Sequence, residues 1–394
     1  MTQMFQEYLE PIITAVYVFP ILAAVFTLPY ILHQYHKYGA ILVFRIVIVY
    51  SFIFYMLTSF FMTLLPLPPV RELTEPLGFA NLKVFDAVHR WLTQSGFTLS
   101  DVSTWKAALK NRELWELLFN IALLFPFGVY LRYYFKRPFW QVLILSFLYS
   151  LFFEVTQLTG VYHIYPYPYR NFDVDDLICN TIGGVIGWGM TPLFVHFLPT
   201  RERLDEESYL HGAHVSLFRR LLAFAVDAVI ILLLTGGCVY LMQERIHEFV
   251  FQHFDMTHIP RHYAVYFLPM AGFVIMTFIT TVSNGYSLGK WLVNIRLVRN
   301  NGTRAHFWQL AVRYFIMMIV LLAAPLFAWQ LLQYVRPEDE AVLTKELLIG
   351  AGAALFCLYF YGMANVIHMA IKQDTRYRYD RICGLKTIST VERK

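Results

Sequence analysis

Stretches of about 20 apolar residues recur along this chain, each closed by a shorter polar interval. An α-helix of about 20 residues crosses the ~30 Å hydrocarbon layer of a bilayer. The pattern predicts nine such spans, at roughly 11–33, 45–65, 116–135, 138–159, 177–198, 221–243, 263–283, 313–333 and 347–371. The alternating ~10-residue strands of an outer-membrane barrel are not visible. The expected fold class is an all-α polytopic membrane protein. The charged interval LPTRERLDEESYLHGAHVS at 198–216 divides five spans from four. It predicts a membrane domain over 1–200, a linker over 201–215 and a second membrane domain with a tail over 216–394. No repeat relates the halves, so an inverted-repeat transporter design gains no support.

Two intervals carry patterns of their own. NLKVFDAVHRWL (81–92) puts Leu82, Phe85, Val88 and Trp91 or Leu92 on one helical stripe, which predicts a helix on a membrane face. The β-prone run NIRLVR is followed by Asn300, Asn301 and Gly302, a strong turn signal.

Composition agrees with the pattern. Of the 394 residues, 58% are hydrophobic, 18% aromatic and 15% charged, against roughly a quarter charged in soluble domains. Most of the 32 Lys and Arg fall on one side of the predicted spans, which orients the chain with its N-terminus outside and its C-terminus inside. The first span follows Glu7 and Glu10 rather than a basic segment, so it reads as a retained helix. A net charge of +5, spread in this way, does not call for a nucleic-acid partner. The four cysteines form no CxxC and no close pair. HEFVFQHFDMTHIPRH (247–262) holds four histidines, but at spacings that match no compact zinc site. P-loop, dinucleotide and nucleophile-elbow motifs are absent. No metal or cofactor is expected.

The candidate chemistry is a set of polar residues inside apolar spans. Glu154 and Gln157 are three apart on the fourth span, and Asp173, Asp176 and Asn180 follow i, i+3, i+7 at the mouth of the fifth. Asn120 sits at a matching depth on the third, and Arg170 is the nearest counter-charge. Intramembrane ionisable groups pair with one another or line a wet cavity. The predicted arrangement is a polar pocket under the outer leaflet, with the lip GVYHIYPYPYRNF (160–172) offering tyrosines to an amphipathic ligand. A purely structural ion-pair network is the competing reading. In the second half, Arg220 and Asp227 share a face at i, i+7, so Asp227 is expected to pair with Arg220 or with Arg313.

FNIALLFPFG (119–128), SFLYSLFFEVTQL (146–158) and RNFDVDDLICNTIGGVIG (170–187) resemble the three signatures of the VanZ-like family, over about 15–198. FANLKVFDAV (79–88) is similar to that family's extracytoplasmic Asn-Leu segment, with Val84-Phe85 where Pro-Phe is usual. The resemblance implies functional positions at Asn120, Pro126, Gly128, Glu154, Gln157, Arg170, Asp173, Asp176, Asn180 and Gly183, and a cell-envelope role tied to teicoplanin-type glycopeptide resistance. Residues 214–390 resemble the RDD family, through SLGKWLVNIRLV, DRICGLKT and the trio Arg220 (or Arg219), Asp227 and Asp380; Tyr379 replaces the usual His. That resemblance implies ion transport as one possible activity.

The resulting expectation is a multi-pass protein of a bacterial plasma membrane. Its partners are the lipid bilayer and an amphipathic envelope ligand: a glycopeptide, a lipid or a wall precursor. The alternatives are an enzyme on a lipid-linked substrate, with Glu154 and Asp176 as acid–base pair, and a proton or cation transporter through Asp227. The oligomeric state is not legible.

Overall fold

A computed structural model describes residues 2–69, 75–254, 264–318, 324, 328, 342–371 and 376–392. The chain forms two compact units, Met1–Leu28 with Leu42–Asp205, and Pro29–Ile41 with Glu206–Lys394. Helix α1 (Thr2–Tyr38) contributes to both.

The first unit continues with α2 (Val43–Leu64), strand β1 (Ala80–Asn81), α3 (Asp86–Ser95), α4 (Val102–Lys110), α5 (Arg112–Tyr133), α6 (Phe139–Leu158), the one-turn α7 (Gly160–His163), β2 (Phe172–Asp173) and α8 (Val174–Val195). Among the described residues five helices are long and apolar enough to cross a membrane: Leu9–Tyr38 of α1, then α2, α5, α6 and α8. They coincide with the first five predicted spans. The N-terminus of α5 is fixed by Asn111, whose Oδ1 accepts from Glu113 N at 2.8 Å; Asp101 caps α4 in the same way at 3.0 Å.

The α5–α8 crossing organises this unit, and small residues permit it. A Cβ on Gly183 would lie 2.0 Å from the Ile121 carbonyl oxygen, and one on Gly187 2.0 Å from that of Phe125. Backbone thus touches backbone along the seam, as small residues allow in membrane bundles. Leu124, Phe127, Leu131, Val142 and Phe153 form the adjoining core, backed by Phe52 and Tyr55 of α2.

Two findings refine the expected regular structure. The chain is mostly helical, as expected, with two short strand pairs besides: β1 and β2 pair in parallel (Ala80↔Phe172, Asn81↔Asp173), and a second pair lies in the other unit. The extended lip, kept out of helix by Pro166 and Pro168, supplies β2. The predicted helix over 81–92 begins only at Asp86. Phe85 stands at its N-cap in the left-handed region, so Leu82 and Phe85 leave the stripe and lie exposed. The helical part folds against α4, with Trp91 Nε1 donating to Ala108 O at 3.1 Å.

The segment expected to be a linker is mostly helix, α9 (Arg201–Gly212), with Leu204 and Ser208 buried. The second unit then has α10 (Leu217–Phe254), α11 (Ala264–Val282), α12 (Leu288–Leu292), β3 (Ile295–Arg299), α13 (Phe307–Met318), α14 (Val342–Ile371), α15 (Arg378–Ile382) and β4 (Leu385–Ser389). β3 is the β-prone run, followed by the expected turn, with Gly302 at φ 84°. It pairs antiparallel with β4, from Ile295↔Ser389 to Arg299↔Leu385. Leu297 and Leu385 pack with Leu310, Tyr314 and Met317 as the core beneath this sheet. The predicted spans 221–243, 263–283 and 347–371 fall on α10, α11 and α14. The span 313–333 starts in α13 and runs largely outside the described residues.

Gly183→Leu is expected to destabilise the protein by about 3 kcal/mol, since overpacking against a backbone carbonyl leaves no rotamer escape. Gly189→Leu is the matched control, because a Cβ there meets nothing within 4 Å. Melting temperatures of the two variants in detergent make the comparison.

Candidate functional site

The C-terminal ends of α2 and α6 and the N-terminal ends of α5 and α8 lie together, and the polar residues predicted from spacing gather there. Asp173 is the N-cap of α8: its Oδ1 accepts from Asp175 N at 2.9 Å, and its Oδ2 from Asn81 Nδ2 at 3.2 Å. Asp173 N in turn donates to Glu154 Oε2 at 2.9 Å. Asp176 accepts a short hydrogen bond from Asn120 Nδ2. Asn180 donates to Ser150 Oγ at 3.0 Å, while its Oδ1 is buried with no partner among the described residues. Glu154 and Asn180 are only 3% and 2% exposed.

Two of the predicted residues have other work. Gln157 Nε2 donates to Thr63 O at 2.6 Å, tying α6 to the end of α2. Arg170, expected to face the carboxylates, directs Nη1 to Thr63 O at 2.9 Å and Nη2 towards Leu65 O at 3.5 Å. It acts on Glu154 and Asp176 through its field, without an ion pair among the described residues. The α2 carbonyls that helix geometry leaves unsatisfied take the guanidinium instead.

Spacing missed Asp175, which lies off the Asp173–Asp176–Asn180 stripe. It is 2% exposed, and its carboxylate accepts from Phe85 N at 2.6 Å and Ala87 N at 2.7 Å. These are the opening N–H groups of α3, so the carboxylate both satisfies orphan donors and meets the positive end of that helix. Arg90 of α3 adds ion pairs to Glu113, at 3.1 Å, and to Asp86. Together these hold α3 and α4 over the start of α5. The doublet Asp175-Asp176 was the available signal, since adjacent helical residues point apart and need separate partners.

The lip splits its tyrosines. Tyr165 and Tyr169 are buried against each other, with ring centroids 5.6 Å apart, and Tyr169 OH donates to Leu64 O at 3.3 Å. Burial pushes the Tyr169 phenol up to about 12, against the lowering field of Arg170. Tyr162 and Tyr167 are exposed. Only these two are placed as the expectation of a ligand-facing lip requires.

In the second unit Asp227 does not pair with Arg220 or Arg313. Its Oδ2 accepts from Ser287 Oγ at 2.5 Å, its Oδ1 from Gly289 N at 2.7 Å, and Lys290 Nζ stands 3.8 Å away. The stretch Ser287-Leu288-Gly289-Lys290 is thus a receptor for one buried carboxylate. Arg313 pairs with Asp380, Nε to Oδ1 at 2.7 Å, both buried. Arg219, fully buried, donates to Val293 O at 2.7 Å, Asn294 O at 2.7 Å and Gly212 O at 2.9 Å. Burial raises the Tyr377 and Tyr379 phenols, opposed by the fields of Arg220 and Arg313, so both remain neutral donors at ordinary pH. The histidine-rich stretch 247–262 lies outside the described side chains.

Residues 52–195 match the family described as VanZ/LLP1, and residues 214–384 match the RDD family. The chain joins a VanZ-like segment to an RDD segment. No curated protein and no solved structure matches it. The polar mouth falls within the VanZ-like match. Arg219, Arg220, Asp227 and Asp380 all fall within the RDD match, where Asp227 and Asp380 have separate partners on separate elements. The two RDD carboxylates therefore do not form one dyad with a shared arginine.

Asp175→Asn is expected to cost about 2–4 kcal/mol, since it exchanges two charge-assisted bonds for at most one neutral one. Faster hydrogen exchange confined to residues 80–95 is the signature that identifies release of α3. For the RDD pair, Asp380→Ala is expected to cost about 3–5 kcal/mol by leaving Arg313 buried without its carboxylate. The double substitution Arg313→Leu with Asp380→Leu should recover much of that loss in denaturant titrations.

Proposed function

We propose that this is a multi-pass protein of the bacterial plasma membrane with nine spans, its N-terminus outside and its C-terminus inside. In this reading the VanZ-like half binds an amphipathic envelope ligand at the polar mouth and confers tolerance to teicoplanin-type glycopeptides. The observation that carries the reading is the convergence of Asn120, Glu154, Asp173 and Asp176, from three helices, at one end of the bundle. The distribution of Lys and Arg supports an outward-facing position for that end.

Recognition then divides between two surfaces. Asp176 with Asn120, and the unpartnered Oδ1 of Asn180, supply polar contacts, while Tyr162 and Tyr167 supply apolar ones. Asp173 and Glu154 set the entrance of α8 at the right height. Arg170 keeps the acidic mouth tolerable through its field, and Gln157 braces α6 against α2. The division into residues 1–200, 201–215 and 216–394 belongs to the same proposal, with the RDD half as a companion membrane domain.

A second reading is favoured by the mutual field of Glu154 and Asp176, two acids on neighbouring helices. Such a pair could work as acid and base on a lipid-linked substrate. Incubating purified protein with labelled lipid-linked precursors separates the two readings, because binding without conversion removes the enzyme. Cation or proton transport through Asp227 is the least favoured, since Ser287 and Gly289 already occupy both of its oxygens.

In cells expressing the chain, Asp176→Asn is expected to abolish teicoplanin tolerance at unchanged membrane abundance. Tolerance that survives this substitution, with the protein present in equal amount, removes the ligand-site reading.

A further inference from the structure

We propose that the RDD half encloses a binding site for a phosphate group, presented either as free phosphate or as the headgroup of an anionic lipid. The proposal is independent of the VanZ-like site and of what that site binds. It starts from a cavity of about 270 Å³ within the second unit, in which Arg220, Lys290 and Arg313 supply three cationic side chains. Among the described residues Asp227 is the one carboxylate in its wall. Tyr314, Tyr377 and Tyr379 also line it, among apolar side chains such as Phe224 and Met317.

The second observation is at Arg313 itself. The residue is 5% exposed and its Nε is spent on Asp380, yet its Nη1 is buried with no hydrogen-bond partner among the described residues. A guanidinium carries five donors in a rigid fork, and a buried donor left unmade is costly. Asp380 Oδ2 is likewise buried without a partner among the described residues, so the pair leaves one donor and one acceptor unmet, and an oxyanion or an ordered water is the complement of the donor. The rings fix the fork in place: Arg313 lies 4.8 Å from the Tyr314 centroid and 5.3 Å from that of Tyr379. Lys290 Nζ, bonded to Ser287 Oγ at 2.9 Å and Tyr314 OH at 3.0 Å, is likewise held rather than free to swing.

The occupant follows from size and charge. Cavities for drug-sized ligands run about 300–1,000 Å³, so this one admits a headgroup and not a whole lipid. Fixed arginine and lysine donors around one small space suit the several acceptor oxygens of a phosphate. The aromatic wall tolerates the first carbons attached to it. A metal cation is disfavoured, because three positive side chains already occupy the wall.

The test uses the full chain in neutral detergent, titrated calorimetrically with sodium phosphate and with dihexanoyl phosphatidic acid, against sodium chloride at equal ionic strength. Saturable binding of at least one probe is expected. Arg313→Lys keeps a charge for Asp380 but removes Nη1, and should weaken binding tenfold or more in protein that still unfolds cooperatively. Lys290→Gln should weaken it as well, and decides the matter if Arg313→Lys does not fold. Tighter binding of the lipid assigns the site to a headgroup, and equal binding assigns it to the free anion. No saturable binding of either probe by the unsubstituted protein, or wild-type affinity in the folded variants, overturns the proposal and leaves water as the occupant.

Discussion

A charge withdrawn from water must be met by other polar groups, and this chain turns several of its charges, buried or half-buried, to the ends of helices. Carboxylates go to N-termini: Asp175 to the opening amides of α3, Asp227 to Ser287 and Gly289 at the start of α12, and Asp173 to its own helix α8. Arginines go to C-termini. Arg170 takes carbonyls at the end of α2, Arg201 the carbonyl of Tyr134 just after α5, and Arg219 those that close α9 and α12. Each contact satisfies backbone groups that helix geometry leaves orphaned and matches the sign of the local dipole. Direct ion pairs such as Arg45–Asp205, at 2.5 Å, and Arg313–Asp380 meet other buried charges.

That preference explains what the sequence could and could not disclose. Helical spacing was enough to place Asn120, Glu154, Asp173 and Asp176 at one level, because depth along a straight helix is counted in residues. It was not enough to assign partners. Asp175 answers amides 88 and 90 residues away, and no periodicity within α8 points to them. Asp227 was expected to pair with Arg220, its neighbour on the same helix, or with Arg313. The stretch after α11 offers an amide, a hydroxyl and an ammonium at once, and outcompetes a single guanidinium two turns off. Strand β4 was missed for a related reason: Leu385–Ser389 has no alternation strong enough to declare itself, and its conformation follows from pairing with β3.

The same bookkeeping bears on both candidate sites. At the VanZ-like mouth most polar atoms are already engaged, and Asn180 Oδ1 is one with no partner among the described residues. In the RDD half the engaged groups hold Arg313 and Lys290 in fixed poses around open space. A site prepared in this way loses little freedom on occupation.

The β3–β4 pair has a consequence for biogenesis. Its strands are separated by some ninety residues, among them the 30-residue helix α14, and Ser389 also receives Arg219 from the opening turn of α10. Arg219 finds its backbone acceptors at Gly212, Val293 and Asn294 earlier in synthesis, but the hydroxyl of Ser389 completes its set only when the last strand has been made. Sealing one of the most deeply buried charges of this half is thus among the last native contacts that synthesis makes possible.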